Sequence, residues 1–146
     1  TNKAKLVPGA FALVHSVDSG RVAEALAGAV RAAHAARLSV LLQVNVAGES
    51  QKSGCPPEEA LRLADRIAAL PELSFEGLMT MAPFTDDEHI QRPVFEKLRR
   101  LRDQLATPAR PLPELSMGMS GDYRAAVAEG STMVRLGTVL FGERAA

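Results

Sequence analysis

Apolar positions along this chain alternate between two spacings. Residues 11–17 form a short apolar run, and Val22, Leu26, Ala29 and Ala33 then recur at helical intervals. Residues 38–46 are almost continuously apolar, broken chiefly by Gln43 and Asn45, as expected of a parallel strand buried on both faces. Pro56-Pro57-Glu58-Glu59 opens a second helix, with acidic residues in its first turn and Leu61, Ala64, Ile67 and Ala68 turned inward. Residues 75–81 read as the third strand. Residues 90–105 read as the third helix, with Val94, Leu98, Leu101 and Leu105 in register. A strand over 115–119, a helix over 120–129 and a strand over 132–136 complete the series. The order β-α-β-α-β-α-β-α-β predicts an α/β fold, a parallel sheet with right-handed crossovers. The pattern leaves open whether the five strands make an open doubly wound sheet or part of an eight-stranded barrel. No repeat or linker divides residues 1–146, which read as one domain.

Charge and cysteine usage narrow the function classes. The 146 residues carry 17 Lys plus Arg against 17 Asp plus Glu with no basic run, so nucleic acid is not an expected partner. Charges or glycines interrupt every apolar stretch before membrane-spanning length, and no membrane association is expected. The single cysteine, Cys55, excludes an intrachain disulfide and suits a reducing compartment; a cytoplasmic location is the expectation. Cys55 reads as a loop or helix-entry residue rather than a nucleophile. The three histidines and Cys55 are too scattered for a metal site.

Candidate chemistry concentrates near the C-terminus. The run Leu115-Ser-Met-Gly-Met-Ser120 and the run Gly130-Ser-Thr-Met-Val-Arg-Leu-Gly-Thr138 are apolar strands ending in small hydroxyl or glycine residues. Ser120 and Gly137-Thr138 suggest a phosphate cradle at strand C-termini. Arg135 stands inside an apolar run, where a plain core strand excludes a cation. It reads either as a ligand contact or as a salt-bridged strand-end residue. Ser120 reads as a phosphate contact, as the N-cap of the following helix, or as both. His15 is a hydrogen-bonded core histidine or a pocket residue, and Lys52 a loop residue or a ligand contact. Glu49 with Lys52 is a candidate surface ion pair, while Met79, Met117 and Met119 read as core or pocket-wall residues and Tyr123 as packing.

Together Gln43-Val-Asn45, Lys52-Ser-Gly54, Gly77-Leu-Met79 and the two C-terminal runs resemble the YggS-type pyridoxal phosphate homeostasis proteins, relatives of the alanine racemase N-terminal barrel. The resemblance runs over essentially the whole chain. It implies βα units equivalent to strands four to eight of a barrel holding pyridoxal 5'-phosphate (PLP), incomplete in this chain. It also implies that Ser120 contacts the phosphate, that the backbone N–H groups of Gly137 and Thr138 complete the cradle, and that Arg135 faces the pyridine nitrogen. The Schiff-base lysine of the family belongs to a strand before this chain's first residue. The four lysines present, Lys3, Lys5, Lys52 and Lys97, stand in other contexts. The implied function is PLP binding and homeostasis without an established reaction, with weak or noncovalent binding in this chain. The alternatives are a racemase-like PLP enzyme and a truncated, inactive fragment. Missing N-terminal strands or self-association would cover the two open sheet edges.

Overall fold

Each strand leads into a helix whose first turn is set locally. The computed structural model describes residues 2–49 and 53–142. Its elements are β1 (Leu13–Val17), α1 (Gly20–Ala32), β2 (Leu38–Gln43), α2 (Ala60–Ala68), β3 (Leu73–Met79), α3 (Glu88–Leu105), β4 (Glu114–Met119), α4 (Tyr123–Ala128), β5 (Met133–Arg135) and α5 (Thr138–Phe141). Ser19 caps α1 by accepting the Val22 N–H at 3.4 Å, and Asp87 caps α3 by accepting the His89 N–H at 2.9 Å. Such side-chain acceptors satisfy donors that the first helical turn leaves without partners.

All neighbouring strands are parallel, and their order in the sheet is β1-β2-β3-β4-β5. A doubly wound sheet reverses its strand order at a switch point. Here the order never reverses, so every crossover proceeds in one direction and the helices line one face. That is the arrangement of a βα-barrel segment.

The curvature is visible in one hydrogen bond. Strands β1 and β4 are three inter-strand spacings apart, about 14 Å along a flat sheet. Yet His15 Nδ1 on β1 lies 2.8 Å from Ser116 Oγ on β4. Two short side chains meet only if the sheet bends into an arc with both on its concave face. The five strands are an incomplete barrel, as the resemblance implied.

The convex face carries the main core. Val40, Leu42, Leu78, Leu115 and Met117 pack there against Ala23, Leu26, Ala27 and Val30 of α1, Leu63, Ala64 and Ile67 of α2, Phe95 and Leu98 of α3, and Ala125 and Ala126 of α4. The register pairs Leu42 with Leu78 and Leu78 with Leu115 on that side. It pairs Gln43 with Met79 and Met79 with Ser116 on the other. Burial of both faces of β2 agrees with its apolar run.

Helix phases and several boundaries differ from the pattern-based expectation. On α1 the buried stripe is Ala23, Leu26, Ala27 and Val30, not Val22, Ala29 and Ala33. Alanine is nearly indifferent to side, so an alanine-rich helix leaves its face to be chosen by close approach to the sheet. On α2, Ala60 and Leu63 are buried with Ala64 and Ile67, while Leu61 is 56% exposed and Ala68 points outward. A tight 3₁₀ turn over Pro57–Glu59 precedes this helix, whose buried residues then follow ordinary α-helical spacing. On α3, Phe95 and Gln91 join Leu98 and Leu105 inside, and Val94 and Leu101 are half-buried. The third strand spans Leu73–Met79 rather than 75–81, β2 ends at Gln43, and β5 is three residues long.

Gly77 fixes the spacing of β3 and β4. A Cβ there would lie 1.9 Å from the Glu114 carbonyl oxygen, so a side chain cannot be accommodated while these strands pair.

Candidate functional site

The C-terminal ends of β3, β4 and β5 open onto a cavity of about 770 Å³. Ser120, Gly137 and Thr138 line it, together with Met119, Phe84 and Phe141. The strand ends thus bring three of the four sequence-derived site residues together. Arg135 is not among the lining residues. It stands two positions before Gly137 and in register with Met119, which lines the cavity.

A tight turn delivers Ser120. The Asp122 N–H donates to the Met119 carbonyl at 3.2 Å, and the Asp122 carboxylate accepts the Met119 N–H in return. Ser120 and Gly121 are held at the tip. Gly118, at φ +99°, makes the preceding bend: a Cβ there would fall 2.7 Å from Ala126 Cβ, so only glycine lets α4 close on the strand. Ser120 is not the helix cap. Helix α4 starts at Tyr123, later than the expected 120, because residues 119–122 form this turn instead.

The Ser120 hydroxyl oxygen accepts two backbone donors, the N–H of Gly137 at 3.0 Å and that of Val139 at 3.3 Å. These flank Thr138, so the converging pair includes Val139, a residue sequence reading did not single out. Two N–H groups aimed at one oxygen position form a small anion cradle, here satisfied by a hydroxyl. An anionic oxygen would be a stronger acceptor for the same donors. The residues therefore fit a phosphate group, with Ser120 able to turn its O–H toward it. Met119, Pro83, Phe84 and Phe141 add an apolar wall suited to a flat ring. Phe84 and Phe141 are 107% and 85% exposed, and such large apolar exposure beside polar groups marks a contact surface.

Arg135 belongs to a partly buried polar network on the concave face. Its Nη1 donates to Ser116 Oγ and its Nη2 to the Thr80 carbonyl at 3.0 Å. Thr80 is itself tied down, its hydroxyl donating to the Val44 carbonyl at 2.8 Å and its N–H to the Ser116 carbonyl at 3.1 Å. Burial pulls Arg135 below its ordinary pKa and the nearby Asp122 carboxylate partly offsets this; the group stays cationic. No salt bridge to Arg135 is found among the described residues, so the strand-end ion-pair reading is not what holds it. Burial and then the Arg135 charge lower the pKa of His15. Both favour the neutral imidazole.

Ser116 and Thr80 were missed in the sequence. A usable signal existed for Ser116. In Leu115-Ser-Met-Gly-Met-Ser120 the alternate positions Ser116, Gly118 and Ser120 are small while Leu115 and Met117 are large, which marks one face as polar. No local signal marks Thr80, whose contribution is a carbonyl oxygen.

The remaining motif residues shape the neighbouring loop. Gln43 Nε2 donates to the Ser53 carbonyl at 3.2 Å, and Asn45 Nδ2 to that of Glu49 at 2.7 Å. Lys52, and with it the Glu49–Lys52 pair, lies outside the described residues. Lys97 Nζ donates to the Val46 carbonyl at 3.2 Å, and among the described residues no lysine lines the cavity. Cys55 is buried next to Val44, and burial with neighbouring carboxylates pushes its thiol up to about 12. Such a thiol is a poor nucleophile. Among the described residues no cluster of His, Cys, Asp and Glu is placed to hold a metal, and no helix is long and apolar enough to cross a membrane.

Comparison with known proteins supplies an independent line. The family described as alanine racemase, N-terminal domain, matches residues 2–145. A pyridoxal phosphate homeostasis protein of Aquifex aeolicus is 42% identical over 145 residues, covering 99% of this chain. The chain spans 63% of that relative's length. A structure of an unknown protein from Bifidobacterium adolescentis is 41% identical with a TM-score of 0.89, over 96% of this chain and 56% of that one. PipY of Synechococcus elongatus, solved with PLP bound, is 34% identical with a TM-score of 0.87, over 97% of this chain and 66% of that one.

Proposed function

Since the chain belongs to the alanine racemase N-terminal domain family, we propose that its strand-end cavity is the phosphate- and ring-facing part of a PLP site serving PLP binding and homeostasis. The observation that carries this reading is the convergence of the Gly137 and Val139 N–H groups on the Ser120 hydroxyl oxygen inside an apolar-walled cavity. The names of the relatives and the PLP held by PipY support it.

In this reading Ser120 and the Gly137–Val139 backbone hold the phosphate. Thr138, lining the same cavity, contributes to the cradle. Met119, Phe84 and Phe141 shield the ring from water. Arg135 would serve the ring nitrogen with guanidinium donors that its two observed bonds leave available. PLP supplies an electron-withdrawing ring when bound, most strongly when its nitrogen is protonated. A permanent cation at Arg135 opposes that protonation. The chain's own residues are therefore built for retention and release of the cofactor rather than for strong carbanion stabilisation.

Equilibrium titration of the chain with PLP, followed by absorbance or fluorescence, tests the proposal. Saturable binding that inorganic phosphate competes away is the expected result. No saturable binding at millimolar PLP would overturn it.

A further inference from the structure

On the concave face a polar chain leads to Arg135 of β5, and the reading above gives no role to its other two members, His15 on β1 and Ser116 on β4. Its direction follows from the hydrogen-bond inventory. Arginine has only donors, so Ser116 Oγ must accept from Arg135 Nη1. Ser116 is fully buried, and its own hydroxyl hydrogen needs an acceptor. Among the hydrogen bonds of Ser116 Oγ, the one remaining partner is His15 Nδ1 at 2.8 Å. That nitrogen must present its lone pair, which places the imidazole proton on Nε2. The direction is therefore Arg135 to Ser116 to His15.

We propose that His15, acting through the Ser116 hydroxyl, is the positioning residue that aims the Arg135 guanidinium at the ring side of the cavity, a role that rests on the PLP reading given above. The Thr80 carbonyl anchors one guanidinium nitrogen, and that carbonyl is fixed by the strand itself. The other nitrogen is anchored on a hydroxyl, which is free to rotate. A hydroxyl accepts well from Arg135 only while its hydrogen is engaged elsewhere, and His15 Nδ1 provides that engagement. A proton on Nδ1 would leave two donors and the hydroxyl hydrogen competing around one oxygen. It would also place a second cation beside Arg135. The other charged group bearing on Arg135 is Asp122, at the start of α4.

The test compares His15→Asn, which keeps an acceptor near the Nδ1 position, with His15→Leu, Ser116→Ala and the His15→Leu/Ser116→Ala double variant. Each is titrated with PLP and separately with inorganic phosphate. Loss of one charge-assisted anchor predicts PLP binding weakened about tenfold or more in His15→Leu and in Ser116→Ala. The double variant is expected to bind no worse than either single one, His15→Asn to bind near the original level, and phosphate binding to stay unchanged throughout. Additive losses, failure of His15→Asn to rescue, or a parallel loss of phosphate binding would overturn the role.

Nitrogen-15 NMR of the cofactor-free chain decides the issue without PLP and without a folded leucine variant. A protonated Nε2 and an unprotonated Nδ1 are expected at pH 8, and the reverse tautomer would sink the relay. Absence of PLP binding by the unaltered chain overturns the reading of the cavity. Normal PLP binding by a folded His15→Leu variant overturns only the role of His15.

Discussion

At the residue scale, Ser120 holds together the part of the site that comes from two separate strand ends. Its hydroxyl oxygen ties the Gly137 and Val139 N–H groups to the turn after β4. Ser120→Ala removes an acceptor that orders the cradle and, in the proposed reading, a donor to the phosphate. A hydrogen bond to a charged group is worth about 1.5–3 kcal/mol, so PLP affinity is expected to fall roughly 10- to 100-fold, read by equilibrium titration. A second prediction concerns His15. Its folded-state pKa lies below the unfolded value of about 6.5. The stability this gives is complete above that pH and is lost as the pH falls from about 6.5 through the folded-state value, because the unfolded chain then binds the proton more readily. Denaturant midpoints measured between pH 8 and pH 5 should decline in the original chain. They should decline less in His15→Asn, and equal slopes would contradict the assignment.

Ser120, Arg135, Gly137 and Thr138 could be picked out of the sequence because each violates its local pattern: a hydroxyl or glycine ends an apolar run, or a cation interrupts one. Val139 and Thr80 could not be. They act through backbone N–H and C=O groups, which every residue type carries, so identity gives no clue to them.

At the element scale, glycine and large core side chains set how closely strands and helices approach. Gly77→Ala places a methyl group 1.9 Å from the Glu114 carbonyl oxygen, which the β3–β4 ladder cannot absorb. A loss of about 3 kcal/mol or more, or failure to fold, is expected in chemical denaturation. Phe95, fully buried where α3 meets the sheet, is the largest core side chain. Phe95→Ala should cost about 3–5 kcal/mol in the same measurement, with the slope of the transition unchanged. The helix faces show where pattern reading loses its hold. On α3 the apolar spacing located Leu98 and Leu105, and on α2 it located Ala64 and Ile67 but not Ala60 and Leu63. On the alanine-rich α1 it located Leu26 but missed Ala23, Ala27 and Val30. Large side chains constrain a helix's rotation far more than alanines do.

At the scale of the whole molecule, the two outer strands and the cavity rim decide solution behaviour. Strands β1 and β5 each pair on one side only among the described residues. Beyond β5, Val139, Leu140 and Phe141 are 52%, 65% and 85% exposed. Unpaired parallel edges with apolar neighbours recruit partners. Light scattering coupled to size exclusion should show the chain on its own associating with rising concentration. A sharp monomer peak at every concentration would count against it.

The alternation of strands and helices, the parallel sheet and a cluster of small polar residues at the strand ends around Ser120 and Gly137 were legible in the residue pattern. Those follow from periodicity and from residue types with few other uses, and both are local properties. Tertiary structure decided that the sheet curls instead of lying open. Periodicity alone left the choice open, and only the family resemblance implied a barrel. The curl itself is seen in the unreversed strand order and where His15 and Ser116, 101 positions apart, meet at 2.8 Å. The same curvature gathers His15, Ser116 and Arg135 from three strands onto one concave face. Arg135 thereby passes from an oddity in an apolar run to a cation anchored beside a cavity. Periodicity is written residue by residue, whereas that meeting depends on the summed bend of four strands.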